Sequence, residues 1–172
     1  MNRYIRIFPL VIMATLLLIN PAEGQKKQKD SRAQAAYDAG EYFEAIDLYK
    51  NAVNKVSDNT QKTAILFKIG ECYRILGNAR SAELWYRKAV REDYQDPIIY
   101  LRYGQMMLIN EKYDDAVEQF KTYVELVPDD PRGNVGIESC EAAVNWMDNP
   151  TGYIVESMRY FNSRQRDFSP AY

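Results

Sequence analysis

Small and aromatic residues recur along this chain at one spacing, three times over. The sets are Ala33, Ala45, Tyr49 and Ala52; Gly70, Ala82, Tyr86 and Ala89; and Gly104, Ala116, Phe120 and Tyr123. In each set a small residue is followed 12 positions later by Ala, 4 further on by an aromatic ring, and 3 beyond that by a fourth residue. The alanines fall 37 and then 34 positions apart. A period of this size predicts a helical solenoid, in which each helix pair stacks only on its neighbours. The physical basis is close approach. Two antiparallel helices cross tightly only where both side chains are small, so Ala82 is expected against Gly70, with the next aromatic filling the wedge beside them.

The same pattern predicts seven helices: Lys29–Ala39, Tyr42–Val56, Gln61–Leu76, Ala79–Arg91, Pro97–Ile109, Tyr113–Leu126 and a solitary Pro131–Met147. Gly40 and Gly77 suit the left-handed residue that ends a helix. Asp96-Pro97 and Asp130-Pro131 place a side-chain acceptor directly before a proline at a helix start. The first helix offers Ala33 and Ala36 but few large apolar residues, so it is expected to fray. The last helix has no partner of its own and should cover the open edge of the third pair, with Gly133 and Gly136 weakening it near its start.

The spacings of Leu66, Ile69, Gly70, Tyr73, Ala82, Tyr86 and Ala89, and of Tyr100, Tyr103, Gly104, Met107, Ala116 and Phe120 with Pro128 closing, resemble the tetratricopeptide repeat (TPR) pattern. The resemblance implies an all-α, right-handed solenoid of three helix pairs plus a C-terminal capping helix. Repeats then fall at about 29–59, 60–96 and 97–130, with the cap at 131–147, in a domain spanning 25–149. Tyr123 stands where the family has a small residue, so looser or shifted packing is expected there.

Outside the array the composition changes. Arg3 and Arg6 precede an apolar run, Ile7 to Ile19, and Ala22-Glu23-Gly24 then offers small residues at the two positions a signal peptidase reads. This predicts a secretory signal peptide over 1–24. The apolar run is too short to span a bilayer comfortably, so no span is expected after cleavage. Removing Arg3, Arg6 and Glu23 from the 22 basic and 24 acidic residues leaves 20 and 23, a net charge of −3. That balance offers nothing to a nucleic acid backbone. Cys72 and Cys140 are the only cysteines. They occupy equivalent registers two repeats apart, roughly 20 Å at about 10 Å per packed helix, well beyond the ~7 Å limit for a disulfide. Two separate, half-buried thiols are expected. With no His in the chain, they make a poor metal site, and no cofactor is expected.

After Pro150, Tyr153-Ile154-Val155 is β-prone, and Asn162-Ser163 and Asp167-Phe168-Ser169-Pro170 follow without helical period. This stretch resembles the opening of a WD40-like propeller blade in OmpA-family envelope proteins of Bacteroidetes, where it directly follows a TPR array. A blade needs about four strands, so 150–172 is expected to be an extended tail. The order of parts is similar to that of outer-membrane components of type IX secretion and gliding machinery. The resemblance implies a periplasmic, outer-membrane-associated scaffold, monomeric alone, that docks envelope proteins. The alternatives are a truncated gene product, or an exported small-ligand-binding or enzymatic domain.

Chemistry for catalysis is sparse: the chain has no His, no Gly-rich phosphate loop and no Cys-x-x-Cys. Carboxylate pairs such as Asp114 and Glu118 read as charges on a solvated helix face. What remains is a surface. In a TPR array the first helix of each pair lines a concave groove. Here it would carry Asp30, Gln34 and Tyr37, then Ala64, Phe67, Glu71 and Arg74, then Ile98, Leu101, Gln105 and Leu108. The partner-binding residues expected are Tyr37, Phe67, Glu71, Arg74, Leu101, Gln105 and Leu108. Phe67, Leu101 and Leu108 act as apolar anchors for a peptide or helix, and are therefore expected to be partly exposed.

Overall fold

The computed structural model describes residues 32–150 and 152. The signal segment and the tail expected from the sequence lie outside them. The described residues form seven helices: α1 (32–38), α2 (Tyr42–Val53), α3 (Asn59–Ile75), α4 (Ala79–Arg91), α5 (Ile98–Ile109), α6 (Tyr113–Leu126) and α7 (Arg132–Asp148). From α2 to α7 each helix packs on its neighbours in the chain, and α5 also reaches α7. The result is an all-α solenoid of helix pairs with α7 laid across the end of the third. The described part of α1 is seated rather than frayed: Ala33 and Ala36 are buried, and Tyr49 of α2 donates to Gln34 Oε1 at 3.0 Å.

The turns repeat as the helices do. Gly40 and Gly77 hold φ of +79° and +73°. At each, the next residue's N–H donates five positions back, Glu41 to Ala36 and Asn78 to Tyr73, which closes the helix end. Lys112 to Met107 and Tyr94 to Ala89 repeat that bond. There, however, the left-handed residues are Glu111 (φ 63°) and Asp93 (φ 66°). Glu111 lies 34 positions after Gly77, at the same point of the repeat, and its Cβ strains a conformation that glycine adopts freely. Glu111→Gly is therefore expected to stabilise the chain by about 0.5–1 kcal/mol, read as a rise in the denaturant midpoint with the slope unchanged. The prolines act as anticipated: Asp96 and Asp130 accept from the N–H of Ile98 and Arg132, each at 3.0 Å.

One repeating contact builds the core. A Cβ at Gly70 would lie 2.6 Å from Cδ1 and Cε1 of Tyr86, and one at Gly104 2.9 Å from Cε1 of Phe120. The ring is the glycine's nearest neighbour, and Ala82 and Ala116 are both fully buried in the core. Gly136 meets the same Phe120 ring, at 2.6 Å, and Gly133 meets Val124 at 2.6 Å and Tyr123 at 3.1 Å. These two glycines dock α7. Their loss of helix propensity is offset by the close approach they allow. Gly133 also makes room for Tyr123, which is not loosely packed: it is 3% exposed, donates to Asp130 Oδ2 at 2.7 Å and accepts from Arg132 Nη2 at 3.2 Å.

α7 ends the array. The packing positions that face a pair's own second helix are small or apolar in α3 and α5. Their equivalents here include Asn134 and Glu138, both exposed. Cys72 and Cys140 are free thiols, as expected, but buried fully rather than by half. Burial pushes Cys72 up to about 11, partly offset by Lys68, which leaves an unreactive thiol. The buried carboxylate of Glu83 fastens pair two to pair three by accepting from Asn110 Nδ2 and Lys112 Nζ, both at 2.6 Å.

Candidate functional site

The odd-numbered helices share one face, shown by the side chains that cross between them. Lys68 of α3 sets its Nζ 4.4 Å from the ring centroid of Tyr37 of α1. Arg102 of α5 places Nε 3.7 Å from Glu71 Oε1 of α3. Gln105 and Leu108 of α5 line a hollow of about 240 Å³ with Arg132, Val135 and Ser139 of α7, floored by Phe120. The face is thus continuous from α1 to α7.

At its centre lies a polar cluster. Glu71 is 7% exposed. Arg74 donates to both of its oxygens, Nε to Oε1 at 3.0 Å and Nη2 to Oε2 at 2.8 Å, and the Tyr86 hydroxyl donates to Oε1 in a short hydrogen bond. Burial alone would raise the Glu71 pKa. The hydrogen bonds from Arg74 and Tyr86 and the charges of Arg74 and Arg102 outweigh it, so the carboxyl is held below its ordinary value. Burial, and then the Glu71 carboxylate, push the Tyr86 phenol well up. The cluster sits where it does because Tyr86 reaches across Gly70 toward the next residue of the same helix. The repeat's packing ring therefore also holds the groove's carboxylate.

The expected partner-binding residues divide. Tyr37, Phe67, Arg74, Gln105 and Leu108 are half-buried on this face. Phe67 is not a free anchor: its ring stacks on Tyr94 at 4.8 Å and 11°, and lies 5.7 Å from Tyr86. Glu71 is buried and already engaged. Leu101 is fully buried and belongs to the core; its expected exposure is corrected. Arg102, one residue on, is the surface residue that sequence reasoning missed. Its signal was present, since it is the one charged residue in an otherwise apolar and neutral α5. Among the described residues no group of three or more His, Cys, Asp or Glu could hold a metal ion, and no helix is long and apolar enough to cross a membrane.

The match to known proteins agrees with this geometry. The human protein O-mannosyl-transferase TMTC2 is 28% identical over 92 residues, 54% of this chain but only 11% of that protein. The chain therefore spans about a tenth of this curated relative. Among solved structures, the second TPR domain of human RPAP3 in complex with the HSP70 peptide SGPTIEEVD superposes with a TM-score of 0.60 at 18% identity, covering 70% of this chain and 98% of that one. The Yersinia enterocolitica type III secretion chaperone SycD, in complex with a peptide of the translocator YopD, gives 0.59 at 17%, covering 69% and 93%. At such identities the likeness is one of fold. The tetratricopeptide repeat model matches residues 31–97 and 76–131, more than half of the 172 residues, and the chain belongs to the tetratricopeptide repeat family.

Proposed function

We propose that this chain is an exported, non-catalytic scaffold that binds a protein partner through the face of its odd-numbered helices. The observation that carries the reading is that face itself. It is one surface built from α1, α3, α5 and α7, with half-exposed Tyr37, Phe67, Arg102, Gln105 and Leu108 leading into a hollow. Mixed apolar and hydrogen-bonding side chains along a groove suit a peptide or a helix. Two structural neighbours, the RPAP3 domain with its HSP70 peptide and SycD with its YopD peptide, support the same use of the fold.

The finer placement rests on the ends of the chain. The basic and apolar N-terminal run and the small residues at Ala22 and Gly24 support export. The Asn162-Ser163 and Asp167-Phe168-Ser169-Pro170 stretch after the array supports a role in a type IX secretion-type assembly at the periplasmic side of the outer membrane.

Phe67→Ala tests the binding face. Partner capture from an envelope extract is expected to fall by roughly 30-fold, about 2 kcal/mol, because the half-exposed ring and its stack on Tyr94 form part of the binding face. Stability should also fall, by about 1–2 kcal/mol, because the ring stacks on Tyr94. A protein retained by the natural chain and lost with Phe67→Ala supports the reading. Equal capture by the two chains places the partner elsewhere.

A further inference from the structure

We infer that the outer face of α4 is a second docking surface, away from the groove, and that it takes an acidic helix of a protein partner. The inference goes beyond the groove reading and does not depend on it. Arg80, Leu84, Arg87 and Arg91 follow one another at 4, 3 and 4 positions, which puts them on one face of the helix. Ala82, Tyr86 and Ala89 are buried on the opposite face, so the stripe points outward. Leu84 is 39% exposed, and Arg80 and Arg91 are exposed beside it. Among the described residues none of the three arginines forms an ion pair. The only acid of α4, Glu83, is buried and already accepts from Asn110 and Lys112. A hollow of about 460 Å³ opens between Arg80, Leu84 and Arg87 and the Asn110–Lys112 turn.

The repeat shows that this charge belongs to one helix alone. In α6, 34 residues on, the same four positions hold Asp114, Glu118, Lys121 and Glu125. In α2, 37 residues earlier, they hold Phe43, Asp47 and Lys50, with Asn54 just past its end. Lys121 is paired with Glu118, and Lys50 donates to the Tyr73 hydroxyl. The arginine stripe is therefore flanked by carboxylates on both neighbouring helices. That arrangement selects a ligand by its width. Packed helices stand about 8–10 Å apart, so a ligand one helix wide meets the arginines alone. A membrane surface or a nucleic acid is broader and would press its phosphates onto the acids of α2 and α6 as well. An acidic helix laid along α4 reaches from Arg80 to Arg91, about 16 Å. Its carboxylates meet the guanidiniums and an apolar residue rests on Leu84. The flanking acids repel the same ligand from the neighbouring helices, which fixes its position.

Panning a phage-displayed library of random helical peptides on the full chain tests this. The natural chain is expected to enrich helices rich in Asp and Glu. The same helices should bind Phe67→Ala as well as the natural chain. Arg80→Gln combined with Arg91→Gln should bind them about tenfold more weakly, the worth of two exposed ion pairs. Both arginines are exposed and unpaired, so circular dichroism should show the double variant melting with the natural chain. Added salt should weaken the acidic helices on the natural chain more than on the double variant. Enriched helices with no acidic bias, or equal binding by the natural chain and the double variant, would overturn the inference. So would vesicles of phosphatidylcholine and phosphatidylglycerol that sediment the natural chain and not the double variant, since the face would then belong to a membrane. Recovery only of peptides lost with Phe67→Ala and kept by the double variant would support the groove and overturn this second surface.

Discussion

Replacing Phe120 with alanine is expected to cost roughly 3–5 kcal/mol, the largest effect of any single truncation in the array. Phe120 is 1% exposed. Its ring meets both Gly104 of α5 and Gly136 of α7, where added Cβ atoms would come within 2.9 and 2.6 Å. Three helices therefore meet at one side chain. Neither glycine has atoms with which to fill the void, so the site collapses poorly and the cavity term is retained. The loss should be uneven. α7 packs on α6 and more lightly on α5, and among the described residues no second helix follows it. Amide exchange over 132–148 is expected to accelerate more than over α3 and α4, because local opening follows the loss of local burial. Uniform acceleration along the chain would show that α7 is not a separately docked element.

Glu71→Ala is the second. Breaking a buried ion pair by removing one partner typically costs about 3–5 kcal/mol. Here Arg74 and Arg102 are each 26% exposed and can regain some water, so about 2–3 kcal/mol is expected in denaturant unfolding. The remainder comes from two guanidiniums facing each other and from the Tyr86 hydroxyl left without its acceptor. The effect should depend on pH in a definite sense. Glu71 has a depressed pKa in the folded state. Its contribution is complete above its unfolded value, near 4.5, and is lost as pH falls through the lower folded value. The stability gap between the natural chain and Glu71→Ala should thus be constant above about pH 5 and narrow below about 4.5. A gap that persists unchanged into acid would mean that packing, not charge, makes Glu71 matter.

The sequence by itself determined the elements and their order. The 12-4-3 spacing of small and aromatic residues marks helix pairs. Gly40 and Gly77 end their helices, and Asp96 and Asp130 cap the starts beyond them, because these features depend on side chains within a few positions along one helix or turn. For the same reason the set Tyr37, Phe67, Arg74, Gln105 and Leu108 could be placed on one face before any coordinates.

Tertiary structure decided what lies between helices. Phe67 stacks on Tyr94, from the end of its own pair, and Leu101 disappears into the core, although both occupy inward positions on equivalent helices. Arg102 emerges where the neighbouring Leu101 was expected, with its guanidinium toward Glu71 of α3. Gly133 and Gly136 read as weak points within α7 and prove to be the seats of Tyr123, Val124 and Phe120. A periodic pattern encodes which side of a helix is apolar. How far each side chain stands from the next helix is set by the angle and distance at which two helices meet, and by the residues of the other helix, which may lie a full repeat away in the chain.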